Sequence, residues 1–389
     1  MNLSQPIDNS GRQIRNILIG FAAILILYIL KMTANIMIPL VIALFIFIVV
    51  NPVLSRLDKM RIPSFLSMLI TLILVVAVFF LFVYIFFVMV NMLLQTDTGL
   101  PAYAVRVQQL DRQLSAFIAP YLDEDPVTFS ILAYLDINWY GVAMSSLTSI
   151  SSKFISIISD AMLVLLYLLF MILERQTILP KLMAALPRGK VQRVSQMIAR
   201  MNRQTAKYTF LKLIISVITG ILFYFAAVIT GLDFALVWGV LAVILNFIPT
   251  IGSIICTAGT IVMALIQFAP DWSNVIYVTV LMIGIEMVVG NIIDPKLQGV
   301  QLNISPLVIL VALAVWGYIW GLAGMFLAVP LTSIIQIVCA NIPTLRPIAI
   351  LLSEGRYYRR DFDKKRKKRN APVHEADDIE LPDEMGQDR

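Results

Sequence analysis

The sequence NFIPTIGSIICTAGT, residues 246–260, lies in the middle of an apolar run that extends from Phe234 to Phe268. Pro249 has no amide hydrogen to donate and Gly252 favours irregular backbone, so together they predict a break in an otherwise helical segment. In hydrocarbon, each backbone group that such a break leaves unpaired costs several kcal/mol, so the break must lie against protein or a water-filled cavity. This stretch therefore predicts a helical hairpin whose tip lies inside a membrane.

The composition of the whole chain agrees with a membrane environment. Of 389 residues, 59% are hydrophobic and 14% are charged, whereas about 25% of residues are charged in soluble domains. A soluble protein of this length has no core large enough to cover so many uninterrupted apolar runs. The sequence therefore predicts an all-α, polytopic helical membrane protein.

The apolar runs give the predicted membrane spans, because a helix needs about 20 apolar residues to cross about 30 Å of hydrocarbon. Six runs are predicted single spans, namely 14–31, 35–51, 64–94, 154–173, 207–230 and 272–293. Two longer runs, 234–268 and 304–342, are broken in the middle. The first run lacks a small-residue cleavage site and ends at Lys31, so we interpret it as a retained span and not as a signal peptide.

The distribution of Lys and Arg predicts the orientation. Basic residues accumulate in the N-terminal segment, in the loop 52–63 and in the segment 174–212, and the positive-inside rule places these three segments in the cytoplasm. The segment 95–152 has six acidic residues against two arginines, and span counting places it on the external side. Both termini are then cytoplasmic.

The segment 95–152 is too long for an ordinary connection between neighbouring spans. Its apolar residues follow at alternating spacings of four and three, which predicts one helix stripe of Tyr103, Val107, Leu110, Leu114, Phe117 and Tyr121. We expect a small external helical cap. Two interpretations remain open: the stripe folds back on its own subunit or the membrane surface, or it joins subunits.

The two broken runs are related to each other. Setting residue n beside residue n+72 aligns Pro249 with Gly321 and Gly252 with Gly324, and each broken run follows one full span. A hairpin returns the chain to the side of the membrane from which the hairpin started, whereas the span before it crosses the membrane once. The second unit therefore enters the membrane from the side opposite the first. This pattern predicts two inverted hairpin-bearing repeats, as in secondary transporters. In the alternative interpretation the arms cross the whole bilayer and each break is a turn between tilted spans.

These observations divide the chain into five predicted regions. They are N-terminal transmembrane helices at 1–94, the external cap at 95–152, a transmembrane helix with a basic cytoplasmic segment at 153–206, the inverted-repeat core at 207–345, and a cytoplasmic tail at 346–389. The tail has the basic run KKRKKR followed by an acidic stretch, and we expect it to be largely disordered. We expect its basic cluster to contact anionic membrane lipid and not nucleic acid.

Several classes of chemistry are excluded by residue type. The only histidine, His374, lies in the predicted tail, so neither a histidine metal site nor a Ser/His/Asp triad is expected in the fold. The sequence has no Gly-Lys-Ser/Thr phosphate-binding loop, which argues against an ATP-driven pump. We therefore expect no cofactor and no enzymatic activity.

The hairpin residues also carry a family resemblance. The stretches GLDFALVWGVLAVILNFIPTIGSI and GLAGMFLAVP, with DPKLQG between them, resemble the autoinducer-2 exporter family of bacterial permease-like membrane proteins. The resemblance implies an inner-membrane protein that moves small solutes, with autoinducer-2 export in some members and sodium or proton antiport in others. Together with the helix stripe, it favours a homo-oligomer.

Glu286 is the outstanding candidate for a transport role, because it lies in an otherwise apolar run where a carboxylate costs roughly 2.5 to 3.5 kcal/mol or more. It either couples transport to protons or lines the pathway, or it is a protonated or paired structural residue. The amides of Asn246 and Asn291 can bind a neutral, polyhydroxylated solute. The predicted transport pathway comprises Asn246, Pro249, Thr250, Gly252, Glu286, Asn291, Asp294, Pro295, Gly321 and Gly324.

The sequence therefore predicts a secondary transporter that exports a small polar solute by alternating access. The first alternative is a sodium/proton antiporter, in which Glu286 and Asp294 would bind the cation. The second is a non-transporting envelope scaffold that acts through the segment 95–152. An intramembrane enzyme is the least favoured, because the sequence offers no nucleophile and base in a catalytic arrangement.

Overall fold

The computed structural model of the chain describes residues 7–95, 99–122, 125, 128–136, 138–294, 296 and 303–355. Within these residues the regular structure is helical, and the predicted all-α fold class is confirmed. The first helices are α1 (Ile7–Met32), α2 (Ala34–Lys59), α3 (Ser64–Leu94), α4 (Leu100–Ile118), α5 (Ile131–Tyr134), α6 (Trp139–Leu173) and α7 (Arg175–Ala185). The remaining helices are α8 (Arg188–Thr230), α9 (Ala235–Leu245), α10 (Ile251–Phe268), α11 (Trp272–Val288), α12 (Pro306–Asn341) and α13 (Arg346–Leu352).

Seven of the described helices are long and apolar enough to cross a membrane. They are α2, α3, α6, α8, α10, α11 with the turn that follows it, and α12. Only 6% of the most apolar window of α3 is buried by the rest of the protein. Such a helix requires lipid around it, so the chain is a multi-pass membrane protein. The apolar part of α1, Gly20–Met32, is shorter than these seven helices. The predicted span at 14–31 therefore stays a prediction.

The first broken run folds as a hairpin of α9 and α10. At its base, the Gln267 side chain accepts a bond from the Asp233 amide at 2.8 Å and donates one to the Gly231 carbonyl at 2.7 Å. Near its tip, a Cβ atom added to Gly252 would lie 1.7 Å from the Leu245 carbonyl oxygen, so only glycine permits this approach of the two arms. With 11 residues, α9 rises by only about 16 Å and is too short to cross the bilayer alone.

The second broken run is also a hairpin. Helix α12 is interrupted at Gly321, whose backbone has φ 62° and ψ −140°, and the chain returns from there. The Gln336 side chain donates a hydrogen bond of 2.8 Å to the Asn303 carbonyl, which brings the two ends of the hairpin together. A Cβ atom on Gly324 would lie 1.9 Å from the Trp316 carbonyl oxygen, so Gly324 has the same steric role as Gly252.

The bases of the two hairpins lie at opposite ends of α8, a helix of 43 residues. The base of the first hairpin includes Gly231, which directly follows α8. The second hairpin ends at Asn341, whose carbonyl accepts a bond of 2.8 Å from Arg193, near the start of α8. The hairpins meet through Phe247 and Phe326, whose ring centroids are 5.8 Å apart.

The end of α1 contacts the second hairpin near its tip. The Trp320 indole donates a bond of 3.0 Å to the Leu30 carbonyl, at the break between α1 and α2. The Lys31 ammonium lies 3.5 Å from the centroid of the Tyr318 ring. This tip is therefore held by the last turn of α1.

The predicted stripe of residues 103–121 lies on α4 and on the short 3-10 turn that follows it. Tyr103 and Val107 are buried, but Leu114, Phe117 and Tyr121 are 40%, 70% and 79% exposed. The stripe is therefore divided: its first part packs on α9 and α3, and its last part has no cover among the described residues of this subunit. The predicted tail beyond residue 355 lies outside the described residues.

Candidate functional site

A buried lysine organises the polar residues at the tip of the first hairpin. Lys212 lies within α8 and is only 3% exposed. Its Nζ atom is 3.4 Å from Oδ2 of Asp294 and 3.5 Å from Oδ1 of Asn246. These contacts join Lys212 on α8 to the end of α9, 34 positions later in sequence, and to the residue after the turn that follows α11, 82 positions later. The resulting group of Lys212, Asn246 and Asp294 is called the lysine cluster below.

Asn246 is placed in the lysine cluster by the end of α9, where it is the C-terminal cap. Its Nδ2 atom donates to the hydroxyls of Ser216 at 3.2 Å and Thr219 at 3.3 Å. Residues 212, 216 and 219 follow at helical spacing, so α8 presents one polar stripe inside an apolar helix. Asn246 is 9% exposed, and its amide is held between the lysine and the two hydroxyls.

Glu286 approaches the same hairpin from α11. Its carboxylate interacts electrostatically with Ser253, in the first turn of α10. The Ser253 hydroxyl donates a hydrogen bond of 3.1 Å to the Thr250 carbonyl at the hairpin tip. Glu286 is partly buried and interacts electrostatically with both Lys212 and Asp294. Of the two carboxylates, Asp294 contacts the Lys212 ammonium, at 3.4 Å.

The end of α11 is a π-helical turn, Val289–Ile293, directly before Asp294. Such turns are often found at functional sites, because the extra residue changes the direction in which the following side chains point. Asp294 points into the lysine cluster, and the buried Tyr208 interacts electrostatically with its carboxylate. Asn291 is exposed and is not brought to the lysine cluster. The prediction that Asn291 and Asn246 serve one site is not supported by this geometry.

The hairpin tip itself is a strained turn. The Ile251 amide donates to the Pro249 carbonyl at 2.7 Å, and Thr250 between them has φ 64° and ψ −52°. This is a γ-turn of the rare form that places a side chain at positive φ, and it costs energy that the surrounding packing must offset. Pro249, Thr250 and Gly252 thus shape the tip, and Asn246 and Ser253 on either side of it reach the charged groups.

The remaining predicted residues lie apart from the lysine cluster. Gly321 and Gly324 form the tip of the second hairpin, and that hairpin meets the first through apolar side chains. Ile248 is buried there with Leu313 and Trp316. Pro295 lies outside the described residues.

The sequence prediction missed the cation of this site. Lys212 was counted with the basic residues of the segment 174–212 that mark the cytoplasmic side, whereas the structure buries it. Ser216, Thr219 and Ser253 were also missed. The helical spacing of residues 212, 216 and 219 in an apolar run indicates one polar helix face. It was missed because Lys212, near the start of that run, was assigned to the basic cytoplasmic segment.

Comparisons with known proteins agree on one family. The family model described as "AI-2E family transporter" matches residues 17–344. The AI-2 transport protein TqsA of Escherichia coli (strain K12) is 32% identical over 343 residues, which cover 85% of this chain and 93% of that protein. A "Putative transport protein" of Haemophilus influenzae is 30% identical over 344 residues, covering 87% and 96%. Another, from Borreliella burgdorferi, is 31% identical over 319 residues, covering 81% and 83%.

Proposed function

Because the chain belongs to the AI-2E transporter family, we propose that it is a secondary transporter that exports a small polar solute such as autoinducer-2 across the bacterial inner membrane. The observation that carries this proposal is the lysine cluster, a buried lysine paired with a partly exposed aspartate and an amide at the tip of a membrane hairpin. The name of the relative TqsA supports the choice of solute. The distribution of basic residues supports cytoplasmic termini.

The cost of the lysine cluster supports a functional role. A charged side chain within a membrane-spanning segment is costly and is usually retained where it serves a substrate or ion pathway. Replacing a buried ion pair by apolar residues of similar volume is often neutral or stabilising, so stability alone does not explain Lys212 with Asp294. We infer that these residues are retained because a solute or ion interacts with them.

The two hairpins supply the moving parts for alternating access. Their bases lie at opposite ends of α8 and they meet near their tips, which supports a pair of inverted repeats. The lysine cluster draws its side chains from α8, the first hairpin and the α11 segment. A displacement of the first hairpin relative to α8 therefore opens or closes the cluster.

Each polar group has a direct role in this proposal. The Lys212 ammonium and the Asn246 amide donate to solute oxygens, and the Asp294 carboxylate accepts from solute hydroxyls. The contacts of Lys212, at 3.4 and 3.5 Å, are longer than the usual 2.7–3.2 Å. Glu286, which interacts electrostatically with Ser253 beside the tip, would carry the coupling proton.

Sodium/proton antiport is the second candidate, and one observation favours it. Asp294 and Asn246 both contact Lys212, so a sodium ion that displaced the Lys212 side chain would meet the Asp294 carboxylate and the Asn246 oxygen, with the charge of Glu286 nearby. In this case the same residues bind a cation and not a polyhydroxylated solute. A non-transporting scaffold and an enzyme are both disfavoured by membership of a transporter family.

Counterflow in proteoliposomes tests the proposal. Vesicles containing the purified full chain and unlabelled autoinducer-2 should take up labelled autoinducer-2, and Lys212→Gln and Asn246→Ala should each abolish this exchange. Lys207→Gln is the matched control, because it removes an exposed charge from the same helix five residues away.

The antiport alternative is tested in the same vesicles with an entrapped pH dye. A pH change after a sodium pulse, with no autoinducer-2 counterflow in the wild type, would replace the exporter by the antiporter. Neither response, or full counterflow by both cluster variants, would overturn the lysine cluster as the transport site.

A further inference from the structure

A groove lies where α2 and α6 end and α3 begins, far along the chain from the hairpins. It has a volume of about 260 Å³ and is partly open to the surroundings. Its lining residues are Leu54, Asp58, Ser64, Phe65, Met68, Ile172, Leu173, Arg175 and Gln176. The groove is at the basic end of these helices, which the positive-inside rule places at the cytoplasmic surface of the membrane.

The groove has a polarity gradient along the helix axes. On α2, Asp58 lies one helical turn nearer the helix end than Leu54, and on α3, Ser64 lies one turn nearer the end than Met68. Beyond α6, Arg175 follows Ile172 by three positions. The polar lining groups thus lie at the outer end of the groove, together with Phe65, and the inner part is apolar. This is the order of headgroup and hydrocarbon along the membrane normal.

Arg175 is held in position at the polar end. Its Nη1 atom donates to Asp58 at 2.8 Å and its Nη2 atom donates to Ser55 at 2.7 Å. These bonds use two of the five N–H donors of a guanidinium and fix its plane, so the other donors have a defined direction. A guanidinium held in this way matches the geometry of a phosphate group.

The charge around the groove favours an anion. The lining itself has one basic side chain, Arg175, and one acidic side chain, Asp58. The adjoining residues of the segments 54–61 and 172–181 add four basic side chains and one acidic one. The volume excludes a whole lipid, since pockets that enclose a complete small ligand measure roughly 300–1,000 Å³. A ligand that fits here must leave most of its length in the bilayer.

We propose that this groove binds an anionic phospholipid, with its phosphate on Arg175 and the upper part of one acyl chain between Leu54, Met68 and Ile172. The lipid is a ligand of the N-terminal helices and is independent of the transported solute. It fixes the relative position of α2, α3 and α6 at the membrane surface.

Native mass spectrometry of the full chain in detergent tests this site. Phosphatidylglycerol and phosphatidylcholine with the same acyl chains are added in equal amounts, and the retained lipids are counted. We expect the wild type to prefer phosphatidylglycerol by about fivefold or more, as for one basic side chain at an anionic surface. Arg175→Gln should remove the preference, whereas Lys181→Gln, an exposed cation of the same segment, should keep it.

Two further variants keep the test decisive if Arg175→Gln does not fold. Asp58→Asn removes the carboxylate that pairs with the Arg175 guanidinium and should raise the preference for phosphatidylglycerol. Met68→Trp fills the groove and should lower the retention of both lipids. Equal retention of the two lipids by the wild type would overturn the proposal, as would equal losses in Arg175→Gln and Lys181→Gln. Displacement of the lipid by millimolar glycerol phosphate would overturn it too, since it would indicate a phosphate site without lipid recognition.

Discussion

The Tyr103 hydroxyl donates a hydrogen bond to the Asp233 carboxylate, and so joins α4 to the base of the first hairpin across 130 positions of sequence. Arg106 lies 3.5 Å from the same carboxylate. The residue after Asp233, Phe234, has φ 59° and packs its ring 5.5 Å from that of Tyr103. Gly231, two residues before, also has positive φ, at 68°. The chain between α8 and α9 is thus a bent connection that α4 holds in one position.

Removing this contact should loosen the first hairpin. Tyr103→Phe keeps the ring packing but leaves the Asp233 carboxylate without its buried partner, and we expect a loss of about 1 kcal/mol, since that carboxylate is 44% exposed and water can replace the donor. Hydrogen exchange of the α9 amides should become faster in the variant. Arg106→Gln removes an exposed ion pair and a guanidinium that lies 4.8 Å from the centroid of the Tyr103 ring, and should change stability by about 1 kcal/mol or less.

The pH dependence of stability, compared between the wild type and Tyr103→Phe, gives a second readout of the Tyr103–Asp233 contact. Burial and then the bond to Asp233 raise the pKa of Tyr103 above its usual value, so the folded protein keeps the phenol protonated where the unfolded chain loses the proton. The contribution of Tyr103 to stability is therefore complete below about pH 10 and declines above it. Wild type and Tyr103→Phe should converge in melting temperature as the pH is raised past that value. A constant difference between them would contradict this assignment.

The two tip glycines should be equally intolerant of a side chain. Gly252→Ala and Gly324→Ala place a Cβ atom 1.7 Å and 1.9 Å from a backbone carbonyl oxygen, so the arms of each hairpin must separate. We expect each substitution to cost about 3 kcal/mol or more and to lower the yield of folded protein. Gly284→Ala on α11 is the control, because nothing lies within 4 Å of its added Cβ atom and helix propensity favours alanine. Wild-type melting temperatures for both tip variants would contradict the close approach of the arms.

Thiol labelling tests whether the tips are exposed to water inside the membrane. In a background without Cys256 and Cys339, single cysteines at Thr250 and Leu322 should react with small polar thiol reagents. Because the hairpin bases lie at opposite ends of α8, we expect the two positions to react from opposite sides of the membrane. Complete protection of both positions from both sides would favour turns between fully spanning arms.

The exposed end of α4 tests the proposed homo-oligomer. Leu114 and Phe117 lie on the uncovered part of the helix stripe. Leu114→Asp with Phe117→Asp would place two carboxylates in a subunit contact, where their desolvation is costly enough to separate the subunits. We expect a smaller mass in detergent by light scattering, with unchanged helix content. A mass equal to that of the wild type would remove this surface as the subunit contact and favour contact with the membrane.

The helices and the breaks at Pro249 and Gly321 could be predicted because both depend on local features: the length of apolar runs, and residues that cannot continue a helix. The lysine cluster could not be predicted in full, because Lys212 meets its partners only through tertiary packing. The π turn at Val289–Ile293 is a tertiary feature of the same kind: Asp294 follows it and reaches the lysine cluster, whereas Asn291 within it is exposed, and its part in the pathway stays a prediction.

Glu286 should separate solute exchange from proton coupling. Glu286→Gln keeps the size and hydrogen-bonding capacity of the side chain but cannot bind and release a proton. If Glu286 carries the coupling proton, this variant should exchange solute in counterflow at the wild-type rate, yet fail to accumulate it when a pH difference is imposed across proteoliposomes. Glu286→Asp keeps the acid on a shorter side chain and should retain partial coupling. Ser253→Ala, which removes the partner and leaves the carboxylate, should keep coupling with a changed pH optimum. Full gradient-driven accumulation by the Gln variant would leave Glu286 as a structural residue and make Asp294 the next carboxylate to test.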